Sequence, residues 1–148
     1  SGTGKNLLAE IANSLSKRND KELVVVNMAD IPENLVDSEL FGTVVGAFTG
    51  SVNRRGYFSE ANHGTLFLDE IGNLPQHLQV KMLAALQNRH IIPVGSNEPI
   101  AVDIRLISAT NIDLFKMVSN GLFRQDLQNR CRLFSFVCTS FRLLLYLL

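Results

Sequence analysis

Hydrophobic residues along the chain recur in two rhythms that alternate. Leu7, Ile11 and Leu15 fall at helical spacing, with Leu8 and Ala12 widening the stripe, which predicts a helix from about Thr3 to Lys17. Leu23-Val24-Val25-Val26 is instead a short unbroken run rich in β-branched residues, the pattern of a strand covered on both faces in a parallel sheet. Leu66-Phe67-Leu68 and Ile104-Arg105-Leu106-Ile107 predict two further strands. Between these two, Leu78, Met82, Leu83 and Leu86 mark one face of a helix beginning near Pro75, a residue suited to the first helical position. The order helix, strand, intervening segment, strand, helix, strand implies an α/β sheet with helical crossovers. The chain contains no internal repeat and no low-complexity segment.

Composition narrows the setting. With 148 residues and 46% hydrophobic content, one domain can bury a core without disulfides. Fourteen acids balance fourteen bases, so no global field draws nucleic acid, and DNA contact is expected only through segments outside this stretch. Cys131 and Cys138 lack the close Cys/His neighbours of a zinc site, and His63, His77 and His90 are scattered singly. A reducing, cytoplasmic location is the expectation, and no charged-then-apolar secretory signal begins the chain. From Cys131 to Leu148 the text turns apolar, but Arg132 and Arg142 leave fewer unbroken apolar residues than the roughly twenty a spanning helix needs. No membrane span is expected there, and an exposed apolar terminus of this kind promotes aggregation.

Two motifs carry chemistry. Ser1-Gly2-Thr3-Gly4-Lys5-Asn6 is the second half of a G-x-x-x-x-G-K loop, in which backbone N–H groups wrap phosphates and the lysine reaches the β/γ oxygens. The first half is missing, so the chain reads as a fragment. Thr65-Leu66-Phe67-Leu68-Asp69-Glu70 is an apolar strand ending in paired carboxylates. Asp69 suits hydrated Mg²⁺, held partly through water, and Glu70 suits orienting and polarising an attacking water. Asp69 as a simple turn cap is the bland alternative, disfavoured because Lys5 stands in the same chain. Asn27 and Ala109-Thr110-Asn111 also end strands, where ligands collect in sheets of this kind. Asn6 departs from the common pattern, which has a Ser or Thr hydroxyl for Mg²⁺ at that place.

Between the first two strands, Gly42, Gly46 and Gly50 bracket Phe48 and Thr49, predicting a flexible arm with one apolar and one hydroxyl contact at its tip. On the residues alone, an isolated Phe more often folds back into the core.

Glu39-Leu40-Phe41-Gly42 followed by Gly46-Ala47-Phe48-Thr49-Gly50-Ser51 resembles the central AAA+ domain of bacterial enhancer-binding activators, which work with the alternative sigma factor sigma-54. Supporting matches include Val26-Asn27, Ile31-Pro32-Glu33, Gly64 to Gly72, Leu74-Pro75, Val94-Gly95, Asp103-Ile104-Arg105, Ala109-Thr110-Asn111 and Phe123-Arg124-Gln125-Asp126-Leu127. The likeness covers residues 1 to about 130. The subgroup normally lacks a hydroxyl at the Asn6 position, and Thr43-Val44-Val45 replaces its usual polar, acid-containing run.

The resemblance implies a three-layer P-loop NTPase (AAA+) fold around a central parallel β-sheet, here lacking the first strand and the helical lid. It implies ATP and Mg²⁺ as cofactors, with Ser1, Gly2, Thr3, Gly4, Lys5 and Asn6 binding nucleotide. Asn27 would be a switch holding Glu70 from the water, and Asn111 a sensor of the γ-phosphate. Arg124 and Arg130 would project into a neighbouring subunit's site, where such arginines are worth on the order of 10³–10⁵ in rate. Solvated or internally paired arginines are the alternative, with Asp126 close by. The segment Gly46, Ala47, Phe48, Thr49 and Gly50 would touch sigma-54 and its RNA polymerase, and the intact protein would form a ring, expected to be a hexamer. The expected division is a partial AAA+ domain over 1–130 and an aberrant apolar tail over 131–148, from a shifted reading frame or truncation. Two other readings are another AAA+ remodelling ATPase with a different client, and an inert gene fragment.

Overall fold

The computed structural model describes residues 4–130 and the backbone of a terminal strand, 144–147. In chain order, helix α1 (Lys5–Ser14) leads to strand β1 (Leu23–Asn27), two 3-10 turns, helix α2 (Val36–Phe41) and helix α3 (Tyr57–Glu60). Strand β2 (Thr65–Asp69) and the long helix α4 (Gln76–Asn88) follow. A small antiparallel pair, β3 (His90–Ile91) and β4 (Ile100–Ala101), precedes β5 (Arg105–Thr110), α5 (Leu114–Ser119), α6 (Gln125–Arg130) and β6 (Leu144–Leu147). Ser1, Gly2, Thr3, Cys131, Cys138 and the first part of the apolar tail lie outside the described residues.

The main sheet has the order β1-β2-β5-β6, and its first three strands are parallel. All three were expected, although the third runs on to Thr110. β6 is the departure: it pairs with β5 antiparallel, placing Leu144 opposite Thr110.

Parallel register puts Val25, Phe67 and Ile107 side by side on one face. α1 packs there through Ala9, against Phe67, Ile107 and Ala109. On the other face Val26, Leu66, Leu68 and Leu106 join Leu40, Phe41, Phe58, Leu78 and Met82 in the main core. Burying both faces explains why β2 and β5 read as continuous apolar runs rather than alternating ones.

α4 buries Leu78, Met82 and Leu83 with Leu86 partly covered, so the predicted face is the packed one, and Pro75 sits one position before the helix rather than inside it. α1 differs from expectation. Its buried positions are Lys5, Ala9 and Asn13, whereas Leu7, Ile11 and Leu15 are exposed, Leu15 to 82%. Phe67 and Ile107 already fill the sheet surface, leaving room beneath the helix for small side chains, and Thr65 Oγ1 donates to Asn13 Oδ1 at 2.6 Å. The helix stops at Ser14, where the hydroxyls of Ser14 and Ser16 donate to the carbonyls of Ile11 and Asn13 and compete with further helical turns.

Among the described residues no helix is long and apolar enough to cross a membrane.

Candidate functional site

The carboxyl ends of β1, β2 and β5 converge with the N-terminus of α1, and the predicted chemistry gathers there. Gly4 enters the helix at φ 70°, a left-handed conformation that glycine adopts without penalty. The N–H groups of the first helical turn have no partner within the helix, which makes this end attractive to anions. Lys5, the first residue of α1, points into the sheet end, its side chain only 8% exposed. Its ammonium donates to Asp69 Oδ1 at 2.7 Å and to Glu70 Oε1. Burial pulls the Lys5 pKa down, but hydrogen bonds and attraction from the two carboxylates outweigh it, and the net shift is upward.

Asp69 closes β2, and the chain turns at once: Glu70 adopts φ 56°, with its N–H donating to Asp69 Oδ1 at 2.9 Å. That left-handed turn, unusual for a non-glycine residue, brings both adjacent carboxylates to the same lysine. Glu70 Oε2 also accepts the main-chain N–H of Asn111 at 3.0 Å, tying the end of β2 to the end of β5. Asn111 thus enters the cluster through its backbone.

Asn27 stands in register with Asp69. Its Nδ2 donates to Asp30 Oδ2 at 2.8 Å and its Oδ1 accepts from Ala29 N at 3.1 Å, capping the 3-10 turn Met28–Asp30. In this structure the amide that the resemblance assigns to a switch is bonded to Asp30. Asn6 is exposed beside Lys5.

The two arginines lie apart from this cluster. Arg124 makes a two-pronged pair with Asp126, Nε to Oδ1 at 2.9 Å and Nη2 to Oδ2 at 2.6 Å, and that bond raises the arginine and lowers the aspartate pKa. Arg130 Nη2 donates to Leu86 O at 3.3 Å. Among the described residues neither guanidinium meets Lys5, Asp69 or Glu70. Both arginines are exposed on α6 or immediately before it.

No group of three or more His, Cys, Asp or Glu side chains is arranged to hold a metal ion among the described residues. A single carboxylate at a phosphate-binding end fits Mg²⁺, which keeps several waters and leans on phosphate oxygens, and does not fit an all-protein metal cage.

The predicted arm is present. Phe48 is 55% exposed and Thr49 is exposed, so Phe48 does not fold into the core. Its base, however, is clamped rather than hinged. A Cβ on Gly42 would lie 2.6 Å from Arg54 O, and one on Gly56 would lie 2.3 Å from Gly42 N, so two backbone segments cross at glycine-only distance. Thr43 and Arg54 exchange main-chain hydrogen bonds at 2.9 and 3.0 Å, and Thr43 Oγ1 donates to Val52 O at 2.7 Å. Glu39 receives the Arg54 guanidinium on both carboxylate oxygens, one contact at 2.9 Å. Of the arm's three glycines, Gly46 and Gly50, at φ 88° and 81°, have open space around them.

A second segment supports the arm, and its role was not read from the residues. Val94 N donates to Gly42 O at 2.9 Å and Val44 N donates to Val94 O at 3.1 Å, placing the turn between β3 and β4 alongside the arm. Gly95, at φ 83°, presses against Ala47 so closely that a Cβ would come within 2.5 Å of the alanine's own. Pro93, Gly95 and Pro99 are turn residues and mark a loop in the sequence, but nothing local says which surface that loop meets.

A parallel sheet with a phosphate-loop lysine and two strand-end carboxylates at its carboxyl edge defines the core of an α/β P-loop nucleotide triphosphatase. The chain belongs to the sigma-54 interaction domain family, whose model matches residues 1–136. It is 50% identical over 136 residues to the transcriptional regulatory protein GlrR of Escherichia coli K12, covering 91% of this chain and 31% of that protein. It is 47% identical over 130 residues to the sigma54-dependent transcriptional regulator SfnR of Pseudomonas fluorescens, covering 87% of this chain and 35% of the relative. Among solved structures, NtrX from Brucella abortus in complex with ATP superposes with a TM-score of 0.80 at 36% identity, over 88% of this chain and 28% of that one. The chain thus spans about a third of the length of the relatives it matches.

Proposed function

We propose that the domain binds Mg-ATP at the end of α1, hydrolyses it, and uses the arm at Phe48 and Thr49 to act on sigma-54-bound RNA polymerase during promoter opening. The observation that carries this reading is the Lys5 ammonium set between Asp69 and Glu70 in a chain that also holds out an apolar arm. Family membership and the ATP complex of NtrX support the choice of nucleotide.

An entering triphosphate competes with the two carboxylates for Lys5, and the N–H groups of the first α1 turn take phosphate oxygens. Asp69, freed from the lysine, would hold Mg²⁺ through water, and the cation would neutralise charge on the β- and γ-phosphates. Glu70 then orients water for attack on the γ-phosphorus and accepts its proton as the bond to the β-phosphate oxygen breaks, giving ADP and phosphate. Because Glu70 is bonded to the Asn111 N–H, the end of β5 senses where that carboxylate sits. Arg124 would complete a neighbouring subunit's site in a ring, expected to be a hexamer, after exchanging Asp126 for phosphate, with Arg130 in a supporting position. DNA contact belongs to segments outside this chain.

The test is Glu70→Gln. The variant is expected to keep Mg-ATP affinity, measured with a fluorescent analogue on the 148-residue chain, and to lose turnover in a full-length relative carrying the same change. Retained turnover removes Glu70 from the mechanism. Absence of Mg-ATP binding by the unsubstituted chain favours an inert fragment, and sigma-54 binding that survives Phe48→Ala favours a remodelling ATPase with another client.

A further inference from the structure

Gln79 lies on the inward face of α4, beside Leu78, and is completely buried. A buried carboxamide needs partners for two N–H groups and a carbonyl, and here all three are matched. Its Nε2 donates to Leu74 O at 3.2 Å and to Leu122 O at 3.1 Å, while its Oε1 accepts the main-chain N–H of Arg124 at 2.8 Å. The partners dictate which way the amide points, since two carbonyls can only receive and a main-chain N–H can only give. The two segments so joined both adjoin the chemistry. Leu74 follows the 3-10 turn Ile71–Asn73, which springs directly from Glu70, with Asn73 N donating to Glu70 O at 2.9 Å. Leu122 and Arg124 belong to the stretch that leads into α6.

We infer that Gln79 is a positioning residue for Arg124, fixing the main chain of that arginine to the turn that follows Glu70. The inference rests on Arg124 being the group that completes a neighbouring subunit's site. An arginine acting across a boundary must be presented at a set distance, and a misplacement of about 1 Å can cost on the order of 10²-fold in rate. The Arg124 side chain does not supply that register, being exposed and paired with Asp126 only two residues along the same segment. Attachment to the body of the domain comes through the backbone. Phe123 is buried in the core, and Gln76 Nε2 donates to Gly121 O at 2.7 Å, so the segment is also tied on either side of Leu122. The Gln79 bond is the tie made to the Arg124 N–H itself. Because the same amide holds Leu74, a shift of the turn after Glu70 is carried to Arg124 through one side chain. A subunit's own carboxylate pair is thereby linked to the arginine it offers next door.

The experiment has two parts. In the ¹³C,¹⁵N-labelled 148-residue chain, a scalar coupling across the hydrogen bond is expected between the Arg124 amide nitrogen and the Gln79 side-chain carbonyl carbon. Its size should be comparable to that for the main-chain bond from Gln128 N to Arg124 O at 3.0 Å. Gln79→Met, which keeps the length but neither donors nor acceptor, is expected to speed amide exchange at Arg124 roughly tenfold, the worth of one hydrogen bond. Gln76→Ala, at an exposed position bonded to Gly121, is expected to leave that exchange unchanged. In a full-length relative with Gln and Arg at these two positions, Gln79→Met is expected to lower kcat for ATP hydrolysis about 10- to 100-fold with KM unchanged. Combined with Arg124→Ala it should lower kcat no further. Two results overturn the proposal: no coupling to Gln79 at the Arg124 amide, or losses that multiply in the double variant. Full turnover by Arg124→Ala overturns the role of the arginine instead, and is told apart because coupling and exchange do not depend on turnover. The coupling is read on the unsubstituted chain, so a Gln79→Met chain that fails to fold does not hide the outcome.

Discussion

Substituting Gly95 with alanine separates support of the arm from simple backbone preference. Gly95 has φ 83°, and an added Cβ would lie 2.5 Å from Ala47 Cβ and 2.6 Å from Ala47 Cα. Ordinary carbon–carbon contacts are about 3.5–4.0 Å, so one of the two loops must retreat by roughly 1 Å. Left-handed backbone costs a non-glycine residue about 1–2 kcal/mol, and forcing a methyl into a tight contact typically costs about 1–3 kcal/mol more. Gly46→Ala and Gly50→Ala are the controls: their φ values are 88° and 81°, but a Cβ at either meets nothing within 4 Å. In urea denaturation, Gly95→Ala is expected to lose about 1–3 kcal/mol beyond either control. If the arm retreats instead, the extra loss shrinks and amide exchange at Ala47, whose N–H bonds Val44 O at 3.2 Å, accelerates. A Gly95→Ala chain that matches the controls in stability and keeps Ala47 exchange unchanged refutes the claim that this turn props the arm.

Gly56→Ala is expected to destabilise by about 3 kcal/mol or more in the same assay, since a Cβ there meets Gly42 N at 2.3 Å and Leu40 O at 2.5 Å, and backbone atoms cannot rotate aside. Loss of less than about 1 kcal/mol would mean that the crossing of the two segments is loose. The Arg18 guanidinium bonded to Asp103 at 2.9 Å holds that carboxyl below its ordinary value. A depressed carboxyl contributes stability above its unfolded pKa and loses it as pH falls through the folded one, so the pair should fail below about pH 4. Because Asp103 is partly exposed, the effect is about 1 kcal/mol or less, and Arg18→Gln should flatten the acid limb of a stability–pH curve by that amount. An unchanged acid limb would show that the pair contributes nothing.

The arm illustrates how far local text reaches. Three glycines at 42, 46 and 50 look alike in sequence, and each was expected to be a hinge. Two are open, but Gly42 is a close-packing glycine, because the chain from Arg54 to Gly56 returns against it. Helix α1 offers the same lesson from the opposite direction. Its large apolar residues form the stripe that periodicity selects, yet Lys5, Ala9 and Asn13 are the buried face, since bulky Phe67 and Ile107 had already filled the sheet.

What the sequence determined was everything set by chemical type and by neighbours along the chain. The three parallel strands, the packed face of α4, and the lysine and carboxylate pair all follow from residue identity and spacing, whereas the residues alone favoured a buried Phe48 and the structure exposes it. What only the tertiary structure decided was which polar group wins when several compete within reach. Glu70 turned left-handed to share Lys5 with Asp69 and met the Asn111 main chain, Asn27 went to Asp30, Arg124 to Asp126, and Gly95 closed on Ala47. Hydrogen bonds and close contacts depend on separations of a few tenths of an ångström between segments far apart in the chain, and such separations exist only once the sheet has fixed where each strand ends.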